Sequence, residues 1–168
     1  MKLVSVNENY QTDYTYPLTE ALGEGFSPIF RPDLTPKEML DMGIFGGNYF
    51  SEAPSEFPAS WFAKVVFSTD NRAHASLNYF KVNASQPLSV WQRNDWIYPE
   101  DPKGWFLWYC RYYLGRRIAE EDDRQIKRWA MMRRHITQLQ NHCRVGDLQC
   151  RPRQRQALLH WAYDSKKF

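Results

Sequence analysis

Asp101-Pro102-Lys103-Gly104-Trp105-Phe106-Leu107-Trp108-Tyr109-Cys110-Arg111-Tyr112-Tyr113-Leu114-Gly115 is the stretch on which the reading of this chain turns. Asp101 is placed to cap a helix, Pro102 suits its first position and Gly115 suits its stop. From Gly104 to Leu114 the residues are apolar on every side, which predicts a central, buried helix over Asp101–Leu114. Arg111 is the only charge inside that apolar run. A buried guanidinium needs an internal carboxylate, for which Asp122, Asp147 and Asp164 are candidates, or an anion held in a cleft.

Downstream, Glu120–Cys143 reads as one long amphipathic helix. Its opening, Glu120-Glu121-Asp122-Asp123, suits the positive end of a helix dipole. At 100° per residue, Ile126, Trp129, Met132, Ile136, Leu139 and Cys143 share a core-facing arc. Asp122, Gln125, Arg133 and Gln140 fall on the same arc, so they must meet internal partners or line a pocket. Gln125, Trp129 and Arg133 lie one turn apart on one stripe, which lets Arg133 stack over Trp129. Gly146 breaks the chain, and Pro152 opens a final helix toward Tyr163. Arg151-Pro152-Arg153-Gln154-Arg155 sets three arginines at a helix N-terminus, against the dipole unless an anion is present. Free backbone N–H groups beside arginine form a phosphate or carboxylate site, though internal acids can also supply the anion.

Upstream, Thr35-Pro36-Lys37-Glu38 carries a capping box with proline at the first helical position, and Gly43 stops the helix. Gly46-Gly47 serves either as a tight turn or as a close approach to a ligand. Lys64–Phe67 and Ser76–Val82 read as two strands able to pair as a hairpin, and Gln86–Asp95 as a helix capped by Ser85. Residues 1–33 carry Pro17, Pro28 and Pro32 and no sustained period. The expected fold is mainly α: a single compact helical domain over 34–168 with a small β-hairpin, preceded by an irregular N-terminal arm over 1–33.

A chain of 168 residues fits one domain and can bury a core without disulfide or metal staples. Its 7 Trp, 10 Tyr and 10 Phe supply flat faces that fill cores and also grip rings. The apolar run Gly104–Cys110 is far short of a bilayer span and the start has no signal-peptide core, so a cytoplasmic protein is expected. Net charge is +3 overall, but residues 1–100 hold 7 Lys+Arg against 12 Asp+Glu, while residues 101–168 hold 15 against 7. Eleven of those 15 cations are arginine, the residue suited to bidentate phosphate contacts and ring stacking. The asymmetry points to an anionic partner, or to docking of the acidic half on the basic half.

Cys110 reads as a buried, inert thiol, and Cys143 and Cys150 as able to pair only in an oxidising compartment. Neither a Cys-x-x-Cys pair nor two His at i, i+4 is present, so no metal is expected. No cofactor is expected either, since the phosphate-loop, dinucleotide and nucleophile-elbow motifs are absent. His135 falls on the solvent arc and His74 in a polar loop. His160 lies seven residues after Arg153 on one stripe, where it can serve as a structural histidine or as an acid or base.

Several long strings resemble a family of small uncharacterised proteins. They are Thr35-Pro36-Lys37-Glu38-Met39-Leu40, Phe45-Gly46-Gly47-Asn48-Tyr49, Asp101–Phe106 with Trp108–Tyr113, Asp123–Trp129 and Cys150–Asp164. Asn94-Asp95-Trp96 departs from the Lys-Gly-Trp of that family. The resemblance covers residues 34 to 167 and implies no activity and no site residues.

Three functions compete. In the first, the basic, aromatic C-terminal third binds nucleic acid or a nucleotide, with Tyr49, Arg111, Gln125, Trp129, Arg133, Arg151, Arg153 and Arg155 as ligand contacts. In the second, the protein is an enzyme without metal or cofactor acting on a small anionic or aromatic substrate. Tyr49, Arg111, Asp122, Gln125, Arg133 and His160 would then share a pocket over Trp129, with Asp122 or His160 as acid or base. In the third, the two charged halves dock a protein partner.

Overall fold

The computed structural model of the chain describes residues 1–85, 93 and 97–168. Helix accounts for 39% of the described residues, which corrects the expected mainly α class. A hairpin, single helical turns and long irregular stretches share the fold with the helices.

The N-terminal segment shows the largest difference. Strands β1 (Lys2–Glu8) and β2 (Gln11–Leu18) form an antiparallel hairpin with Val4 opposite Tyr16 and Val6 opposite Tyr14. The register slips between Val6 and Glu8, and Asp13 on β2 takes a φ of 57°, as an extra residue in one strand requires. Val4 and Val6, and Tyr14 and Tyr16, are β-formers spaced by two, which is the local signal for these strands. Pro17 does not oppose them, because it sits at the end of a strand in a two-stranded sheet.

The hairpin expected from Lys64–Phe67 and Ser76–Val82 does not form; a 3-10 turn at Ala59–Phe62 precedes the first segment, and another, at Ala75–Leu77, opens the second. The reason is that nearby backbone groups are bound elsewhere. The glycine turn takes them: Ser68 N–H donates to Gly47 O (2.9 Å), His74 N–H to Gly46 O (3.0 Å) and Tyr79 N–H to Gly43 O (3.0 Å). Gly46 sits at φ 62°, and a Cβ there would lie 2.5 Å from His74 N. The pair is thus a turn packed against its own chain. The helix expected over Gln86–Asp95 lies outside the described residues.

Helix α1 (Pro36–Met42) has the full capping box: Glu38 N–H donates to Thr35 Oγ1 (3.1 Å) and Thr35 N–H to Glu38 Oε1 (3.0 Å). Helix α2 (Trp105–Leu114) starts later than predicted, with Gly104 at its N-cap. Asp101 does not cap it, because two guanidinium groups, Arg111 and Arg116, claim its carboxylate. Charge-assisted bonds of that kind exceed a cap bond in strength. Gly115 ends the helix at φ 121°, with its backbone against the Glu20 carbonyl.

The single long helix predicted over Glu120–Cys143 is two helices, α3 (Ala119–Met131) and α4 (Arg133–His142). At the joint, Met132 N–H donates to Trp129 O (3.1 Å) and His135 N–H to Met132 O (3.0 Å). This i→i+3 tightening separates the two helices, yet the predicted apolar arc still faces the core beyond it. Ile126, Trp129 and Leu139 are buried, Met132, Ile136 and Cys143 half-buried, and Arg133 and Gln140 exposed. A loop closed by the Cys143–Cys150 disulfide leads to α5 (Pro152–Leu159), which is shorter than the run to Tyr163 that was predicted.

Phe30, from the supposed arm, lies at the centre of the core. Its ring meets Trp105, Trp108, Tyr109, Tyr112 and Trp129 at centroid distances of 4.9 to 6.4 Å. Among the described residues no helix is long and apolar enough to cross a membrane.

Candidate functional site

Arg111 is not a ligand clamp. Its five N–H donors are all used: Nε and Nη2 on Glu56 (3.1 and 2.9 Å), Nη1 on Asp101 (2.9 Å) and Glu100 O (2.7 Å), and Nη2 also on Gln11 Oε1 (2.7 Å). The side chains of Arg111, Glu56 and Asp101 are 0% exposed. Arg116 binds Asp101 through both Nη atoms (2.7 and 2.6 Å), and Glu56 accepts the Tyr10 and Tyr16 hydroxyls at 2.7 Å each. Two guanidinium groups and two carboxylates balance one another inside the fold and tie the hairpin to α2. Asp122, Asp147 and Asp164, the partners considered from sequence, are not the ones used.

The other residues expected to share a pocket have separate surroundings. Asp122 is buried, accepting Trp108 Nε1–H (2.8 Å) and Ile118 N–H (2.8 Å). Burial raises its pKa, and these two hydrogen bonds oppose the rise. Gln125 donates to Glu121 (3.1 Å) and accepts from Arg128 (3.0 Å). The Tyr49 hydroxyl donates to Lys103 O and accepts Leu107 N–H (2.9 Å). Tyr49 lines a cavity of about 200 Å³ with Ile44, Phe50 and Phe62. Trp129 stacks on Tyr163 at 5.0 Å, and the Arg133 guanidinium lies 5.1 Å from its ring centroid, the stacking expected from their spacing. The proposed enzyme pocket is therefore not assembled from these side chains.

His160 is buried and neutral, its pKa pushed down to about 3 by burial. Its hydrogen bonds fix the tautomer. Phe80 N–H holds Gln156 Oε1 (2.9 Å), so Gln156 Nε2 donates to Gly43 O (3.0 Å) and to His160 Nε2 (2.9 Å). Phe45 N–H also donates to Nε2 (3.2 Å). The ring proton therefore sits on Nδ1 and is donated to Ser85 Oγ at 2.7 Å. With its basic nitrogen occupied, His160 orients its neighbours and is not placed to take a proton.

The three arginines at the start of α5 have different roles. Arg155 is buried and spends its donors on main-chain carbonyls: Cys150 (2.7 Å), Asp147 (2.9 Å), Ser165 (2.7 Å) and Phe168 (2.6 Å). It binds the loop and the last turn together and is not available to a ligand. Arg151 is exposed, reaching Gln138 and Gln154 at 3.1 Å each. Gln154 also meets His135 Nδ1 (3.2 Å), which joins α5 to α4. Burial and the adjacent Arg134 charge lower the pKa of His135. Arg153 is exposed, and like Lys127, Arg134 and Arg144 its side chain makes no ion pair or hydrogen bond among the described residues. Arg134 precedes Gln138 by one turn, so it shares a stripe with the side chain that Arg151 grasps.

Beside this basic surface is a cavity of about 220 Å³ walled by Phe45, Trp105, Phe106 and Trp161, with Ser85 and Arg128 among its polar groups. Trp105 and Trp161 lie 4.8 Å apart, and the Arg128 guanidinium lies 5.4 Å from the Trp161 ring centroid. A more open cleft of about 390 Å³ adjoins it, sharing Ala84, Ser85 and Ala157 and adding Arg153 and Gln154. Of the residues singled out in the sequence, His160 and Arg153 line this pair. Ser85, Arg128 and Trp161 were missed as site residues. Arg128 lies one turn from Gln125 and Trp161 directly follows His160, but nothing local marks Ser85. No group of three or more His, Cys, Asp or Glu able to hold a metal occurs among the described residues.

No family model, curated protein or solved structure matches the chain, so comparison lends it no activity.

Proposed function

We propose that the chain binds single-stranded nucleic acid or its nucleotides through the basic face formed by α4, the disulfide-closed loop and the start of α5. One observation carries the reading: Arg134, Arg144, Arg151 and Arg153 are exposed on these joined elements and meet no carboxylate among the described residues. Uncompensated guanidinium groups attract phosphates and release their counterions. The adjoining ring-lined cavity favours a ligand with unstacked bases over a duplex. The disulfide holding this face persists in an oxidising compartment. In a reducing cytosol, the expected location, the Arg151–Gln138, Gln154–His135 and Arg155 contacts would hold it instead.

Titration of a labelled single-stranded oligonucleotide at rising salt tests the proposal. Four engaged cations give log K against log salt a slope of about −3. The triple variant Arg144→Gln, Arg151→Gln, Arg153→Gln should lower that slope by about 2. Binding that is absent at low salt, or that ignores salt, refutes the assignment.

A further inference from the structure

We infer that the ring-lined cavity seats one nucleobase, with the phosphate of the same nucleotide in the adjoining cleft at Arg153; this rests on the nucleic-acid reading above. Phe45, Trp105, Phe106 and Trp161 give the cavity flat apolar walls suited to a planar ring. The Ser85 hydroxyl accepts the His160 Nδ1 proton, so its own hydrogen is left to donate. It therefore suits a ring nitrogen or carbonyl acceptor, groups that every base carries on its edge. The cavity leads to a cation: Ala84, Ser85 and Ala157 line both spaces, and Arg153 stands in the outer one. A flat apolar body with an acceptor edge and an anion at one end is the outline of a nucleotide. The two spaces together fall within the usual range for small-ligand sites, roughly 300–1,000 Å³.

AMP, adenosine and ribose 5-phosphate, titrated separately by calorimetry, separate the two halves of this site. AMP should bind at least tenfold more tightly than either fragment. Arg153→Gln should bring AMP down to the level of adenosine. Ala157→Phe crowds the cavity and its junction with the outer cleft and should weaken AMP at least tenfold. Ser85→Ala, a smaller change that keeps the fold if the phenylalanine does not, should weaken AMP severalfold. AMP binding no tighter than ribose 5-phosphate, or untouched by both cavity variants, overturns the inference. Oligonucleotide binding that persists without AMP binding overturns the base subsite alone, whereas loss of both also overturns the basic face.

Discussion

Replacing Arg111 by Met keeps an unbranched stem in place and removes one charge and five hydrogen bonds. Glu56 and Asp101 then remain buried at 0% exposure, with Arg116 as the one cation in contact with Asp101 and the Tyr10 and Tyr16 hydroxyls as donors to Glu56. Removing one partner of a buried pair costs about 3–5 kcal/mol, because the other is left charged away from water. In a chain of this size each kcal/mol lowers Tm by roughly 2–4 °C, so a fall of about 6–20 °C is expected. Urea denaturation followed by tryptophan fluorescence, with scanning calorimetry at pH 7, gives both quantities. Adding Glu56→Gln to Arg111→Met should recover part of the loss, since the double variant no longer buries the Glu56 charge. Amide exchange should show β1 and β2 opening before the helices, because Gln11, Tyr14 and Tyr16 bind into this network. An Arg111→Met protein within about 1 kcal/mol of the parent, with hairpin protection unchanged, would refute the account.

For His160, the folded pKa is about 3 against about 6.5 for an exposed imidazole, so only the unfolded chain takes up the proton between these values. Stability should fall by about 1.4 kcal/mol per pH unit as pH drops below about 6.5, and His160→Gln should remove that slope in pH-dependent urea titrations. Reducing the Cys143–Cys150 disulfide, which closes a short loop with a sequence separation of 7, should cost about 2 kcal/mol. Urea midpoints with and without reductant measure it, and a Cys143→Ser variant should not respond to reductant. Gly46→Ala should cost about 1–3 kcal/mol by thermal melting, and more than Gly146→Ala, where φ is also positive but nothing lies within 4 Å of an added Cβ.

Local chemistry was legible and long-range partnership was not. Thr35 with Glu38, Gly43, Gly115 and Pro152 act within a few residues of themselves, and each marks its helix terminus as expected. Asp101 looked like a cap for the same local reason, but two arginines further along outcompeted the backbone. Glu56 carries no sequence signal that it will meet Arg111, and none says that Tyr10 and Tyr16 will meet Glu56. The hairpin had a weak period-two signal, which three prolines masked. For the candidate site, the excess of arginine over acid was visible, whereas its division was not. Arg111, Arg116 and Arg155 are consumed inside the fold, and Arg134, Arg144, Arg151 and Arg153 stay at its surface, a sorting that depends on contacts across the whole chain. The helical phase carried past the joint at Met132, since Leu139 is buried and Ile136 and Cys143 pack against the core, while the polar members Arg133 and Gln140 reach solvent.

Phe30 also sets an order of assembly. Its ring comes from early in the chain, and apart from Phe26, which stacks on it at 5.6 Å, the aromatic residues it meets belong to α2 or α3. A nascent polypeptide that has not yet reached Trp105 has only Phe26 to set against that ring, and it lacks the Arg111 guanidinium that holds Glu56. Closing so distant a contact is entropically slow, so the early segment must wait, with tyrosines and phenylalanines exposed, until the later helices arrive.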